Sequence, residues 1–246
     1  MKEALRNFWS SDADSYNKAI KSTLHSVNLK KSWQEIFTEV LGDNKLKILD
    51  VGTGPGIVAL MLAELGHDVT GVDLSEDMLK NALKNRDALS ISVDFRKGDA
   101  EHLPFNDESF DAVVNRYVLW TVPDPKTAIS EWKRVLKPGG KIVIIDGNWY
   151  ANENSIKRKL WHVFSLVLVI LTERKNPLTS NLDPKLKNKL WSIKASRPDA
   201  DRRFLEQRGF KDIYVMDKIN RRTKNLIEHL KYGYQGDTFL ITATKA

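Results

Sequence analysis

Cysteine is absent from this 246-residue chain. That excludes disulfides, thiolate metal sites, cysteine-ligated iron–sulfur clusters and any cysteine nucleophile, and it agrees with a reducing interior. The opening stretch Met-Lys-Glu-Ala-Leu-Arg-Asn-Phe-Trp-Ser lacks the apolar run of a signal peptide, so a cytoplasmic protein is expected. Glycine (13) and proline (8) are too few for a collagen-like or low-complexity chain, and no internal repeat is visible. The length suits one large α/β unit with its own core.

Charge is not scarce, but it is uneven. The net charge is +7; residues 1–150 hold 19 basic and 22 acidic side chains, whereas residues 151–246 hold 20 and 10. The basic second part is either a solvated lysine-rich surface or a face for an anionic partner: a phosphate-bearing substrate, RNA or an acidic membrane.

The most informative stretch runs from Leu46 to Ala59, Leu-Lys-Ile-Leu-Asp-Val-Gly-Thr-Gly-Pro-Gly-Ile-Val-Ala. Ile48, Leu49 and Val51 predict a buried parallel strand, Gly52, Gly54 and Gly56 a sharp bare turn, and Pro55–Leu65 a helix whose N-terminal N–H groups face that turn. No Gly-Lys-Ser/Thr follows, which excludes a P-loop. The dinucleotide spacing Gly-x-Gly-x-x-Gly also fails, because Ile57 stands where its third glycine belongs. Two acidic residues close later predicted strands: Asp73, after His-Asp-Val-Thr-Gly-Val, and Asp99, in Phe-Arg-Lys-Gly-Asp-Ala-Glu-His-Leu-Pro-Phe.

Asp-x-Gly-x-Gly-x-Gly with these two acids resembles the class I S-adenosylmethionine-dependent methyltransferases. The Lys137-Pro-Gly-Gly turn is another mark of that family, and Phe-Trp-Ser-Ser-Asp-Ala-Asp-Ser-Tyr resembles the N-terminal cap of small-molecule methyltransferases related to ubiquinone and menaquinone biosynthesis. The resemblance implies S-adenosylmethionine as cofactor and no metal. It places Asp50, Gly52, Thr53 and Gly54 under the methionine half, Asp73 on the ribose hydroxyls with Leu74 and Met78 beside the adenosine, Asp99 and Ala100 at the adenine, and Asn115 at the next strand end. Tyr16 is the candidate to fold over the sulfonium.

From Leu46 onward strands and helices alternate, which predicts a doubly wound, mostly parallel Rossmann-like sheet with helices on both faces. Seven strands are expected, the last antiparallel by family analogy. The predicted strands end at Val51, Asp73, Lys97, Asn115, Asp146, Met216 and Thr244. The organisation expected is a helical cap (1–45), a cofactor-binding core (46–150), a helical insert (151–199) and a C-terminal helix with the last two strands (200–246). Ligands of open parallel sheets sit outside the carboxyl ends of the strands. Arg116 and Trp120 after strand four, Trp149 and Tyr150 after strand five, Trp9 in the cap and His162 in the insert are therefore candidate acceptor contacts.

Within the insert, Leu160–Leu171 is nearly all apolar and flanked by Lys157, Arg158, Lys159, Arg174 and Lys175. Twelve helical residues span about 18 Å, short of the roughly 20 residues needed to cross a bilayer. A lid over a lipophilic acceptor, a homodimer contact and an interfacial helix touching anionic lipid all remain.

Methyl transfer needs positioning and exclusion of water; an oxygen acceptor also needs a base, for which His102, His162 and Asp146 are the candidates. The favoured function is methyl transfer to a small-molecule acceptor by a monomer or homodimer. Asn115-Arg-Tyr-Val differs from the Asn/Asp-Pro-Pro-Tyr/Phe of enzymes acting on nucleic-acid amines. An RNA methyltransferase using the basic C-terminal part and a non-catalytic S-adenosylmethionine-binding module are the alternatives.

Overall fold

The computed structural model describes residues 1–149, 155–173 and 182–246. Two helices come first, α1 (Lys2–His25) and α2 (Val27–Leu41). Alternation follows: β1 (Lys47–Val51), α3 (Ile57–Glu64), β2 (Asp68–Asp73), α4 (Glu76–Leu89), β3 (Asp94–Lys97), β4 (Phe110–Arg116), α5 (Pro125–Val135) and β5 (Leu136–Gly147). Beyond β5 lie α6 (Ile156–Glu173), the short α7 (Pro184–Lys187), α8 (Asp199–Gln207), β6 (Phe210–Met216), the short α9 (Asn220–Thr223), α10 (Leu226–Tyr232) and β7 (Thr238–Lys245).

The seven strands form one sheet in the order β3-β2-β1-β4-β5-β7-β6. Strands β1 to β5 pair in parallel, and β7 runs antiparallel between β5 and β6. Each central strand feeds two cores, because successive side chains point to opposite faces. Ile48, Ala112, Val114, Val143 and Ile145 pack with α2 and α3 through Phe37, Ile36, Leu60 and Met61. Leu49, Val113, Ile142, Ile144 and Ile241 pack with α5 and α8 through Trp132, Ile129 and Leu205.

Local chemistry moves several boundaries. The first crossover helix starts at Ile57 rather than Pro55, because Gly56 holds a left-handed conformation (φ 85°) that ends the turn. Ser75 caps α4 as expected, accepting from Met78 N, and Asp124 caps α5 by accepting from Lys126 N and Thr127 N. Lys137-Pro-Gly-Gly does not interrupt β5; it forms a bulge within it, where Phe110 pairs with Leu136 but Ala112 with Lys141. α9 and α10 are additions that the sequence pattern does not announce. No helix among the described residues is long and apolar enough to cross a membrane.

A buried ion triad ties the second part of the chain to the sheet. Arg197 donates from Nη2 to Asp146 Oδ2 on β5 (2.8 Å) and from Nε to Asp201 Oδ2 on α8 (2.8 Å), with a further contact to Asp201 Oδ1. Burial would lower the arginine's pKa, but the Asp146 and Asp201 carboxylates outweigh it and hold the guanidinium charged; burial pushes Asp201 upward despite its partner. Removing one member leaves uncompensated buried charge. Arg197→Met should therefore destabilise the fold by about 3–5 kcal/mol, read as a lowered midpoint in equilibrium urea unfolding.

Candidate ligand-binding site

The floor of the site is the turn after β1. Gly52, Gly54 and Gly56 all have positive φ (65°, 55° and 85°), a region that side chains disfavour. A Cβ at Gly52 would lie 2.3 Å from Val118 Cγ2, and one at Gly56 2.7 Å from Phe95 Cζ. At Gly54 it would meet only Tyr16 Cε1 and Met78 Sδ, each at 3.9 Å. The backbone there borders open space.

Two carboxylates pin this turn. Asp50 continues the Ile48 row toward α3, and its Oδ2 accepts from Thr53 Oγ1 (2.6 Å) and Ala59 N (3.2 Å). Burial pushes its pKa up to about 7 against the lowering effect of those donors. Asp73, at the tip of β2, accepts from Gly54 N at Oδ2 and from Ser75 N at Oδ1, both at 2.8 Å. Burial raises its pKa as well, despite these bonds. The Leu74 backbone N–H also favours the ionised carboxylate.

Above the floor lies a cavity lined by Gly52, Gly54, Asp73, Leu74, Met78, Asp99 and Ala100 and roofed by Trp9 and Tyr16. The roof belongs to α1, which is fastened along α4 by polar pairs: Ser10 with Ser75 (2.9 Å), Asn81 Nδ2 to Asp14 Oδ1 (3.0 Å) and Asn85 Nδ2 to Asn17 Oδ1 (2.9 Å). At its first turn Lys2 donates to Asp99 Oδ2 (2.7 Å) and pairs with Glu101. Burial opposes the charges at Asp99, but the lysine prevails and holds that carboxyl below its usual range. Sequence reading missed Lys2, Asn17 and Asn85, whose partners lie 97 and 68 residues away in the chain.

Aromatic side chains close the far wall. Trp9 meets Tyr16 (5.8 Å between centroids) and Trp120 (6.3 Å), Trp120 meets Trp149 (6.4 Å), and Trp149 meets Tyr117 (4.9 Å). Tyr117 turns the chain at the end of β4 with φ 62°, an uncommon conformation for a bulky residue, and burial raises its pKa to about 12. Arg116 lines the cavity, its guanidinium lying over the rings of Trp33 (5.4 Å) and Tyr117 (5.0 Å).

Of the residues singled out in the sequence, Gly52, Gly54, Asp73, Leu74, Met78, Asp99, Ala100, Tyr16, Trp9 and Arg116 come together around this cavity. Others do not. Asp50 and Thr53 lie under the turn as braces. Asn115 continues the Val113 row into the second core layer, fully buried, with no hydrogen-bond partner for its amide among the described residues. Asp146 is corrected as a base. It is fully buried, and its oxygens accept from Trp120 N (3.0 Å), Trp149 Nε1 (3.0 Å), Gly147 N and Arg197. It sets the two tryptophans in place instead. His102 is corrected too: its side chain is 74% exposed beside Asp99 and outside the cavity lining. His162 stacks on Tyr234 (4.5 Å) and also lies outside the lining. Trp120 and Trp149 stand behind the lining residues. Tyr150, Arg174 and Lys175 fall outside the described residues.

Comparison with known proteins agrees with this geometry. Residues 49–144 match a family model described as a methyltransferase domain. The ubiquinone/menaquinone biosynthesis C-methyltransferase UbiE of Rickettsia felis is 36% identical over 150 residues, covering 58% of this chain and 60% of that protein. The chain thus matches about 60% of the length of such relatives. A SAM-dependent methyltransferase from Aquifex aeolicus shares the fold with a TM-score of 0.62 and 18% identity, covering 96% of this chain and 98% of its own. So does a phosphoethanolamine N-methyltransferase from Haemonchus contortus, in complex with phosphomonomethylethanolamine and S-adenosylhomocysteine: TM-score 0.60, 21% identity, 87% of this chain and 52% of that one. Residues 49–144 are thus similar to a methyltransferase domain, and the seven-stranded α/β sheet is the fold of those solved methyltransferases. Over 150 residues its sequence is similar to the ubiquinone/menaquinone biosynthesis C-methyltransferases.

The bracing carboxylate gives a pH signature. Asp50 has a folded-state pKa of about 7 against an ordinary 3.8, so between these values the folded chain holds a proton that the unfolded chain has released. Its contribution to stability is present below about 4 and is lost as pH rises through about 7. Asp50→Asn should flatten the decline of the thermal midpoint across that window, measured by circular dichroism at a series of pH values.

Proposed function

We propose that this chain binds S-adenosylmethionine in the cavity under α1 and transfers its methyl group to a small-molecule acceptor. The observation that carries this reading is the bare Gly54 backbone bordering the cavity beside the Asp73 carboxylate, with Met78 and Leu74 as apolar neighbours. The lining suits the cofactor: Asp73 offers a carboxylate to a ribose hydroxyl, and Asp99 offers one to an exocyclic amine in competition with Lys2. When bound, S-adenosylmethionine supplies a methyl group on a positively charged sulfur, open to in-line displacement.

The chain's own residues then position the reactants and keep water out. Tyr16 and Trp9 cover the reacting end, and with Tyr117, which Trp149 backs, they favour an acceptor with a planar face or a positive charge. Arg116 places a guanidinium where an anionic group of either ligand can be held. UbiE relatives are C-methyltransferases by name, and with the planar wall this supports a ring carbon as the methylated atom. With Asp146 and both histidines outside the lining, the chemistry runs without a histidine base, which suits an acceptor that needs little deprotonation.

Calorimetric titration with S-adenosylmethionine and S-adenosylhomocysteine tests the cofactor. Wild type should bind both, and Asp73→Ala should weaken them roughly 10- to 100-fold, the worth of a hydrogen bond to a charged group; no binding by wild type would overturn the proposal. Turnover tests the roof. With acceptor identified by a one-methyl mass gain in metabolite extracts, Tyr16→Phe should retain most of kcat, whereas Tyr16→Ala should lower it by about tenfold or more through lost enclosure. Equal rates for the two variants would remove Tyr16 from the site.

A further inference from the structure

Helix α6 presents a face that the described part of the protein leaves uncovered. Ile156, Leu160, Val163, Phe164, Val167, Ile170 and Leu171 are each at least 52% exposed. At about 100° per residue they fall within one stripe roughly 120° wide. The opposite face fixes this orientation: Trp161 Nε1 donates to Leu230 O on α10 (2.9 Å), His162 stacks on Tyr234, and Ser165 and Val169 are buried. The stripe therefore points away from the body of the protein. α10, packed alongside, adds exposed Leu226 and Ile227.

The borders of the stripe identify its partner. On the same helical wheel, Lys157 and Lys159 fall just beyond its two edges, and both are exposed. Arg158, between them in sequence, turns inward and donates to Trp149 O. An apolar band edged by lysines, on the part of the chain that carries 20 basic and 10 acidic residues, complements a bilayer surface: acyl chains against the band, anionic headgroups against the ammonium groups. RNA would leave the apolar band exposed, and the helix cannot span the membrane.

We propose that α6 docks the protein flat on a membrane surface bearing anionic lipid. This goes beyond the methyl-transfer reading and stands independently of it. The test is co-sedimentation of the full chain with phosphatidylcholine vesicles containing or lacking phosphatidylglycerol. The wild type should sediment with the anionic vesicles, less so at high salt, and little with the neutral ones. Val163→Asp with Val167→Asp should lower partitioning roughly tenfold or more, and Lys157→Gln with Lys159→Gln severalfold on anionic vesicles only. All four positions are exposed, so unchanged thermal melts should accompany these losses. Failure of the wild type to bind anionic vesicles would overturn the proposal. So would a light-scattering mass of twice 28.1 kDa that the double aspartate variant halves, since the stripe would then join two copies. Equal sedimentation of the wild type and the double aspartate variant would also overturn it.

Discussion

The turn between β1 and α3 depends on two carboxylates, one buried beneath it and one half-buried beside it, that satisfy its backbone. Three glycines with positive φ leave a loop with little side-chain packing of its own, and such a loop would sample many conformations if nothing held it. Asp50 binds it from below through Thr53 and Ala59, and Asp73 binds it from the side through Gly54. Burying acids is unfavourable, as their upward-shifted pKa values record. The arrangement trades stability for a fixed, bare edge against which a ligand can lie. The cavity, its aromatic roof and the placement of Tyr16 over Gly54 all depend on that edge keeping its shape.

A second unfavourable burial sits at the other end of the site. The Asp146–Arg197–Asp201 triad joins the end of β5 to the start of α8, and Asp146 also orients Trp120 and Trp149. One charged cluster thus anchors the chain that returns from the insert and shapes the aromatic wall.

Much of this was legible in the sequence, for a physical reason. The strand, turn and helix around Gly52 are local, so alternation of buried residues and the spacing of glycines declare them directly, and the acids that touch the cavity close the strands that carry them. What stayed hidden was long-range or directional. Lys2 finds Asp99 and Asn17 finds Asn85 across most of a domain, with no periodic trace in either segment. Asp146 and Asn115 stand at strand ends as expected, yet each continues a row, Ile142–Ile144 and Val113, that faces the second core layer rather than the cavity. Position along a strand was readable, but the face it served was not. His102 stands beside Asp99 with its ring toward water, a direction that its place in the chain does not show.

The Lys2 contact carries one more consequence. Its ammonium group holds the Asp99 carboxylate, so any other donor arriving there competes with the protein's own first helical turn. Occupancy of that carboxylate and the fastening of α1 at that end are linked equilibria: a tighter-held donor loosens the cap, and a firmer cap weakens the donor's hold by the same factor.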